Sequence, residues 1–296
     1  MPQPPRVDLV AADVERALAE LEASRERVYY DADGDAAVRD SFYADVDTDA
    51  SPQELFDALS ALLEATHEPR PSYKPAERVY PWVDLHPDRQ LRSIYSGRPF
   101  DPEEFIRADA EIAHERAARL QEVLVSDWAL GSRELAAAFD TIEAELRFNC
   151  EHVVPQSWFE KREPMRGDVH HLFACEPDCN SFRGNVPYFD FADFEEAIRS
   201  DCGKREENRF EPSSGKGTAA RAVLYFLLRY PGVVASNARE FERERLAILL
   251  DWHEQNGIED YERHRNGAIF ELQGNRNPLI DHPEWATQID FSRGLG

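Results

Sequence analysis

Apolar residues recur at helical spacing through much of this chain, and the residues between the runs mark where helices begin. Leu9, Val14, Leu18, Leu21 and Val28 fall on one stripe, which predicts an amphipathic helix over 9–28. Residues 1–6 ahead of it read as a proline-containing tail. Residues 31–49 are dense in Asp and short of bulky apolar side chains, so an acidic, solvated connection is expected there. Ser51-Pro52-Gln53-Glu54 is a strong start signal, with a hydroxyl N-cap, proline in the first turn and glutamate three positions on. Leu55, Leu59, Leu62 and Leu63 then share one face. Asp101-Pro102-Glu103-Glu104 repeats the device ahead of a helix to about Val123. Further helices are predicted over 218–230, 238–255 and 260–272, and short extended pieces over 78–84 and 91–95. Internal repeats and heptads are absent. These patterns predict a mixed α+β protein, largely helical, with an N-terminal helical and acidic extension over 1–50 and the main domain over 51–296.

Composition narrows the class. The chain has 296 residues, 42% of them hydrophobic, enough for a buried core and against wholesale disorder. No stretch approaches the roughly 18 apolar residues of a membrane span. Asp8, Asp13, Glu15, Arg16, Glu20 and Glu22 interrupt every candidate apolar leader in the first 30 residues, so a cytoplasmic protein is expected, with export by a route not visible in the sequence as the alternative. The formal net charge of -24 argues against a protein that grips phosphate backbones. The excess is uneven, however. Residues 1–150 carry 32 acids and 16 bases, whereas 201–250 carry 7 acids and 9 bases. An anionic ligand is better placed on the C-terminal half.

The section over 147–185 is poor in helical pattern and rich in His, Cys and Asn. It reads as a strand through Phe148-Asn149-Cys150-Glu151-His152 that ends at Pro155, a loop, a second strand after Asp168-Val169-His170-His171, and a short helix or turn at Asn180-Ser181-Phe182-Arg183-Gly184-Asn185. These residue types suit metal-assisted phosphodiester hydrolysis. Mg²⁺ prefers hard oxygen donors and needs few of them from the protein, and Glu151 and Asn180 can supply them. A neutral His152 can take a proton from the attacking water, and Arg183 can stabilise charge on the scissile phosphate. Adjacent strand residues point to opposite faces, so a bend or bulge is expected at Glu151-His152.

Glu151 through Phe159, Asp168 through Leu172 and Asn180 through Asn185 together resemble the endonuclease I family of bacterial nucleases, which carries a ββα-metal (His-Me finger) site. The likeness extends through Phe210-Glu211-Pro212, Lys216-Gly217, Trp252-His253 and the block from Gln273 to Pro283. By that resemblance His152 maps to the general base, and Glu151 and Asn180 map to the ligands of one Mg²⁺, replaceable by Mn²⁺ or Ca²⁺. The implied activity is cleavage of DNA, and of RNA as well, leaving 5′-phosphate ends. The rival reading is a non-catalytic nucleic-acid-binding or zinc-stabilised interaction protein on the same fold.

Other residues take supporting parts in this reading. Asp168, His170, His171 and Asn185 are expected to orient the site. Trp158, Phe159, Tyr188 and Phe189 are expected to pack in the core or at its rim. Lys204, Arg205, Arg209, Lys216, Arg221 and Arg276 form the candidate track for substrate phosphates. For a cytoplasmic protein, Cys150, Cys175, Cys179 and Cys202 are expected to hold a structural Zn²⁺. Export would make two disulfides the default, and buried free thiols are the third option.

Overall fold

The computed structural model describes residues 7–126, 131–194, 200–234 and 243–295. In chain order, α1 is Val7–Ser24, α2 is Ala32–Phe42, α3 is Pro52–Thr66 and α4 is Pro75–Arg78. The short strands β1 (Leu91–Arg92) and β2 (Pro99–Phe100) precede α5 (Pro102–Ser126) and α6 (Ser132–Glu145). Then come β3 (Cys150–His152), β4 (Leu172–Ala174), α7 (Pro177–Arg183), β5 (Gly203–Glu206) and β6 (Arg209–Pro212). The chain closes with α8 (Lys216–Arg229), α9 (Arg243–Gln255), α10 (Asp260–Gln273) and α11 (Pro278–Asp281). The described strands form three separate antiparallel pairs, β1 with β2, β3 with β4 and β5 with β6. The fold is therefore α+β and mostly helical, as the periodicity predicts.

Two apolar clusters organise the molecule. One centres on α8, whose small Ala219, Ala220 and Ala222 admit close neighbours and whose Leu224, Phe226 and Leu228 are fully buried. It packs against α3 and α9. The second gathers Ala17 and Leu21 of α1, Val79 to Leu85, and Phe105 and Ile106 of α5. The β3–β4 hairpin is wedged between them. Its Phe173 and Cys175 belong to the first cluster, whereas Cys150, Leu172 and Ala174 belong to the second.

The start signal at Ser51 is realised as a full capping box. Ser51 Oγ accepts from the Glu54 N–H at 3.4 Å, and the Glu54 carboxylate accepts from the Ser51 N–H at 3.0 Å. Ser51→Ala is expected to destabilise the fold by about 1 kcal/mol, read as a lower urea midpoint. An unchanged midpoint would show that α3 is held by packing alone.

Four expectations differ from the structure. The first helix ends at Ser24, not at position 28. Residues 32–42 form α2 inside the expected acidic connection. Asp31 caps it by accepting from the Gly34 N–H, and Asp33 and Asp35 lie at the positive end of its dipole. No residue of α2 is fully buried, so it carries no apolar stripe to read. Residues 78–84 are not extended: Val79 and Asp84 donate backward to the Pro75 and Val79 carbonyls, continuing α4 as turns around buried Val79, Tyr80 and Val83. The hairpin register is regular, Cys150 with Ala174, Glu151 with Phe173 and His152 with Leu172, so no bulge stands at Glu151-His152. Residues 1–6 and 238–242, read as a tail and as the start of a helix, lie outside the described residues. Among the described residues, no helix is long and apolar enough to cross a membrane.

Candidate active site

The middle of the chain folds as strand, strand and helix on a fixed base. The Asn149 backbone N–H and side-chain Nδ2 both donate to Asp109 Oδ1 of α5, at 2.8 and 2.9 Å, while the Tyr80 phenol donates to its Oδ2. The Ala174 N–H donates to Asp84 Oδ2 at 2.6 Å. Both strands are thereby tied to the second cluster before the site begins.

β3 is the open edge of a two-stranded ribbon, and side chains of α7 cover that edge. Asn180 Nδ2 donates to the Cys150 carbonyl at 3.1 Å, and Arg183 Nη2 donates to the Val153 carbonyl at 3.0 Å. Pro177 stands in the first turn of α7, and Gly184 ends the helix with φ at +61°. A side chain at 184 would be strained at that angle, and its Cβ would crowd the Arg205 guanidinium. Arg205 itself donates to the Phe182 carbonyl at 2.7 Å.

Glu151 and His152 leave the ribbon on opposite faces, yet one cleft of about 490 Å³ is lined by both, together with Asn180, Arg183 and Asn185. A bulge is unnecessary because the ribbon is only two strands wide and the cleft passes its free edge. Glu151 is 3% exposed; its Oε1 accepts from Tyr95 OH at 2.7 Å and stands 3.3 Å from Arg183 Nη1. Tyr95 and Tyr188 share a second hydrogen bond of 2.7 Å behind it. Burial pushes the Glu151 carboxyl up to about 7, against the pull of Arg183 and the Tyr95 hydrogen bond. His152 Nε2 meets the Arg166 carbonyl at 3.0 Å, and Tyr73 packs on its ring at 4.6 Å. Burial, with His171 nearby, holds the His152 imidazole well below its ordinary range and so neutral.

Asp168, His170 and His171 lie beneath the cleft, fully or almost fully buried. Asp168 accepts from the His170 N–H, Gln273 Nε2, Tyr225 OH and Tyr230 OH. Burial alone would raise its carboxyl; His67, His170, His171 and the Gln273 amide instead hold it well below the carboxylate range. His170 Nε2 faces the Asn275 carbonyl and His171 Nε2 the Met165 carbonyl, and burial pushes His170 down to about 3. Trp158, Phe159 and Tyr188 are core residues. Arg183 borders the cleft but is 1% exposed, engaged by Glu151 and by the Val153 and Gly184 carbonyls. Its place is behind Glu151 rather than facing a phosphate.

Most of the expected basic track does not form. Arg221 is buried and doubly hydrogen-bonded to Glu262. Arg276 is buried between Asp281 and Asp35. Lys204 pairs with Asp193 and Glu206, and Lys216 with Glu211. Arg209 is exposed over the Phe189 ring, and only Arg205 of the six lines the cleft. The cations in the cleft come from elsewhere. Arg116, Arg147, Lys161 and Arg166 join Arg183 and Arg205, against Asp140, Glu143 and Glu151. The cleft is thus net basic in a chain of net charge -24. Arg147 carried a readable signal, since it adjoins the Glu-His block; Tyr95 reaches Glu151 from 56 residues away and carried none.

The four-cysteine zinc site is also absent. Cys179 and Cys202 form a disulfide, and Cys150 and Cys175 are free and buried. Cys150 faces one cluster and Cys175 the other, so the four sulfurs cannot converge on one ion. The bond fastens α7, one residue before Asn180, to the start of β5.

The chain matches the family model for endonuclease I over residues 72–284. It is 35% identical over 156 residues to an extracellular ribonuclease of Bacillus subtilis (strain 168), covering 48% of this chain and 54% of that protein. An extracellular deoxyribonuclease of Aeromonas hydrophila is 30% identical over 159 residues, 46% of this chain and 66% of that protein. A periplasmic deoxyribonuclease of the same organism is 30% identical over 161 residues, 46% of this chain and 63% of that protein. The chain spans about half the length of the ribonuclease and under two-thirds of either deoxyribonuclease. These extracellular and periplasmic relatives overturn the cytoplasmic expectation. The Cys179–Cys202 bond agrees with them, because reducing compartments keep thiols free. With the matched segment holding the hairpin, α7 and every residue that converges on the cleft, this chain belongs to the endonuclease I family.

Proposed function

We propose that the chain is a metal-dependent endonuclease that hydrolyses phosphodiester bonds of DNA and RNA through a His-Me finger, leaving 5′-phosphate ends. The observation that carries this reading is the meeting of Glu151, His152 and Asn180 in one basic cleft at the open edge of β3. The Arg166 carbonyl accepts only an N–H, which assigns the proton of His152 to Nε2 and leaves the Nδ1 lone pair available. The neutral ring can then take a proton from the attacking water.

Glu151 and Asn180 are the residues that would hold the ion. With Asn180 Nδ2 given to the Cys150 carbonyl, its Oδ1 remains as the donor, in the same cleft as Glu151. This all-oxygen pair fits Mg²⁺, and Mn²⁺ or Ca²⁺ as substitutes. The raised Glu151 carboxyl also fits, since burial leaves it short of positive charge even with Arg183 alongside. When bound, the cation supplies Lewis-acid stabilisation of charge at the phosphoryl and leaving oxygens. Arg183 and Tyr95 fix the Glu151 carboxylate, while exposed Arg147 and Arg205, which donate to Ser181 Oγ and the Phe182 carbonyl of α7, take substrate phosphates.

The names of the relatives, ribonucleases and deoxyribonucleases, support both polymers as substrates. The test is incubation of supercoiled plasmid and of structured RNA with Mg²⁺ or with EDTA. Cleavage of both is expected with Mg²⁺ and none with EDTA. Cleavage that survives EDTA would remove the metal from the reading, and binding without any cleavage would favour the non-catalytic interpretation.

A further inference from the structure

Beside His152, three cations from different parts of the chain meet the acidic side of α6. Arg166 Nη2 donates to Glu143 Oε1 at 2.5 Å. Lys161 Nζ donates to Glu143 Oε2 at 3.0 Å and to Asp140 Oδ1 at 2.5 Å. Arg116 Nη1 stands 4.0 Å from Glu143 Oε1, and its Nε donates to the Leu146 carbonyl. All five side chains line the same cleft as Glu151 and Asn180. The cluster adjoins the proposed base directly, because the carbonyl that orients His152 belongs to Arg166.

We propose that Arg116, Lys161 and Arg166 form a subsite for a phosphate flanking the scissile one, and that Glu143 fills it as an internal stand-in which the nucleic-acid backbone displaces. The inference rests on the nuclease reading of the cleft and adds to it a second anchoring point and a built-in competitor. A carboxylate and a phosphodiester each offer two oxygens and one negative charge to the same Arg and Lys donors. Three cations around Glu143 exceed what one carboxylate neutralises, and Asp140 touches only Lys161 of the three. α6 is also loosely held: Ile142 is the single buried residue among its described side chains. Such a helix can shift its acidic side away without opening the core.

The consequence is that Glu143 weakens substrate binding. Glu143→Gln should bind a fluorescent DNA duplex about three- to tenfold more tightly than wild type, measured by anisotropy in EDTA. In the wild type the displaced carboxylate takes up a counter-ion on binding, so the variant should also show a salt dependence steeper by about one in the log–log slope. Glu145→Gln is the control. It removes the same charge from the same helix, but its partner Arg119 does not line the cleft, so it should match wild type. Lys161→Ala should bind more weakly, with a slope shallower by about one. Thermal melts of all variants establish that each is folded. Equal affinities for Glu143→Gln and Glu145→Gln, or unchanged affinity for Lys161→Ala, would overturn the inference. Wild-type plasmid cleavage with Mg²⁺ is scored separately, so loss of the nuclease reading cannot be mistaken for loss of the subsite.

Discussion

Replacing His152 by alanine is expected to lower the rate of plasmid cleavage by about 10²- to 10⁴-fold, the range in which a positioned general base contributes. The geometry makes this a loss of chemistry more than of affinity. His152 is held by the Arg166 carbonyl on one side and by Tyr73 on a ring face, and it bears no charge that would attract phosphate. Duplex affinity measured in EDTA should therefore stay close to wild type while turnover collapses. The fold should survive, because the hairpin register rests on backbone pairing and on the Asn149–Asp109 anchor rather than on the imidazole. Near wild-type cleavage by a folded His152→Ala protein would refute the assignment. A parallel loss of affinity and turnover would instead make His152 a binding residue.

Asp168→Asn is expected to be the most destabilising single change near the site, by about 3–5 kcal/mol. The carboxylate is fully buried and gathers four donors: the His170 N–H, Gln273 Nε2 and the Tyr225 and Tyr230 hydroxyls. An amide replaces one acceptor oxygen with a donor that faces other donors, leaving at least one of them buried and unpaired. Tyr225 and Tyr230 belong to α8 and its C-cap and Gln273 to α10, so the loss separates the loop under the site from two helices. The pH dependence has a definite sign. The native carboxyl is held below its unfolded value of about 3.9, so its contribution is complete above that pH and disappears as pH falls toward the lowered native value. Urea midpoints of wild type and variant should thus differ most near neutrality and approach each other in acid. A difference that stays constant down to acid pH would show that the carboxylate charge is not what stabilises.

Where each residue's partners lie along the chain explains what was legible beforehand. α3 and α5 were readable because Ser51, Pro52, Glu54 and Asp101-Pro102 act within their own first turns. α8 was readable because it is a nearly continuous apolar run, buried on every side from Ala219 to Arg229. The candidate site was readable because Glu151, His152 and Asn180 sit within 30 residues, on β3 and on α7 with β4 between them. α2 buries none of its residues and gave no stripe, whereas the Leu135, Phe139 and Ile142 stripe of α6 is short and lies among alanines and acids. The basic track failed for a different reason. Arg221 is neutralised by Glu262, and Arg276 by Asp281 together with Asp35, near the other end of the chain. A local count of charge cannot see such partners. Likewise, a cysteine count cannot show that Cys150 and Cys175 stand on opposite faces of one hairpin.

The wedged position of that hairpin makes the site a sensor of alignment. Glu151 leans toward the cluster built on α8, through Tyr95 and Tyr188, while His152 leans toward Tyr73 on the α1–α5 side. One peptide unit therefore joins two side chains whose surroundings belong to separate packing units. A small slide of one unit against the other would leave both cores intact, and the bulk of the stability with them. The distance between the proposed metal ligand and the proposed base would change with it. Catalytic competence is in this sense a tighter specification than foldedness: the chain must not only bury its two cores but hold them in register across a ribbon two strands wide.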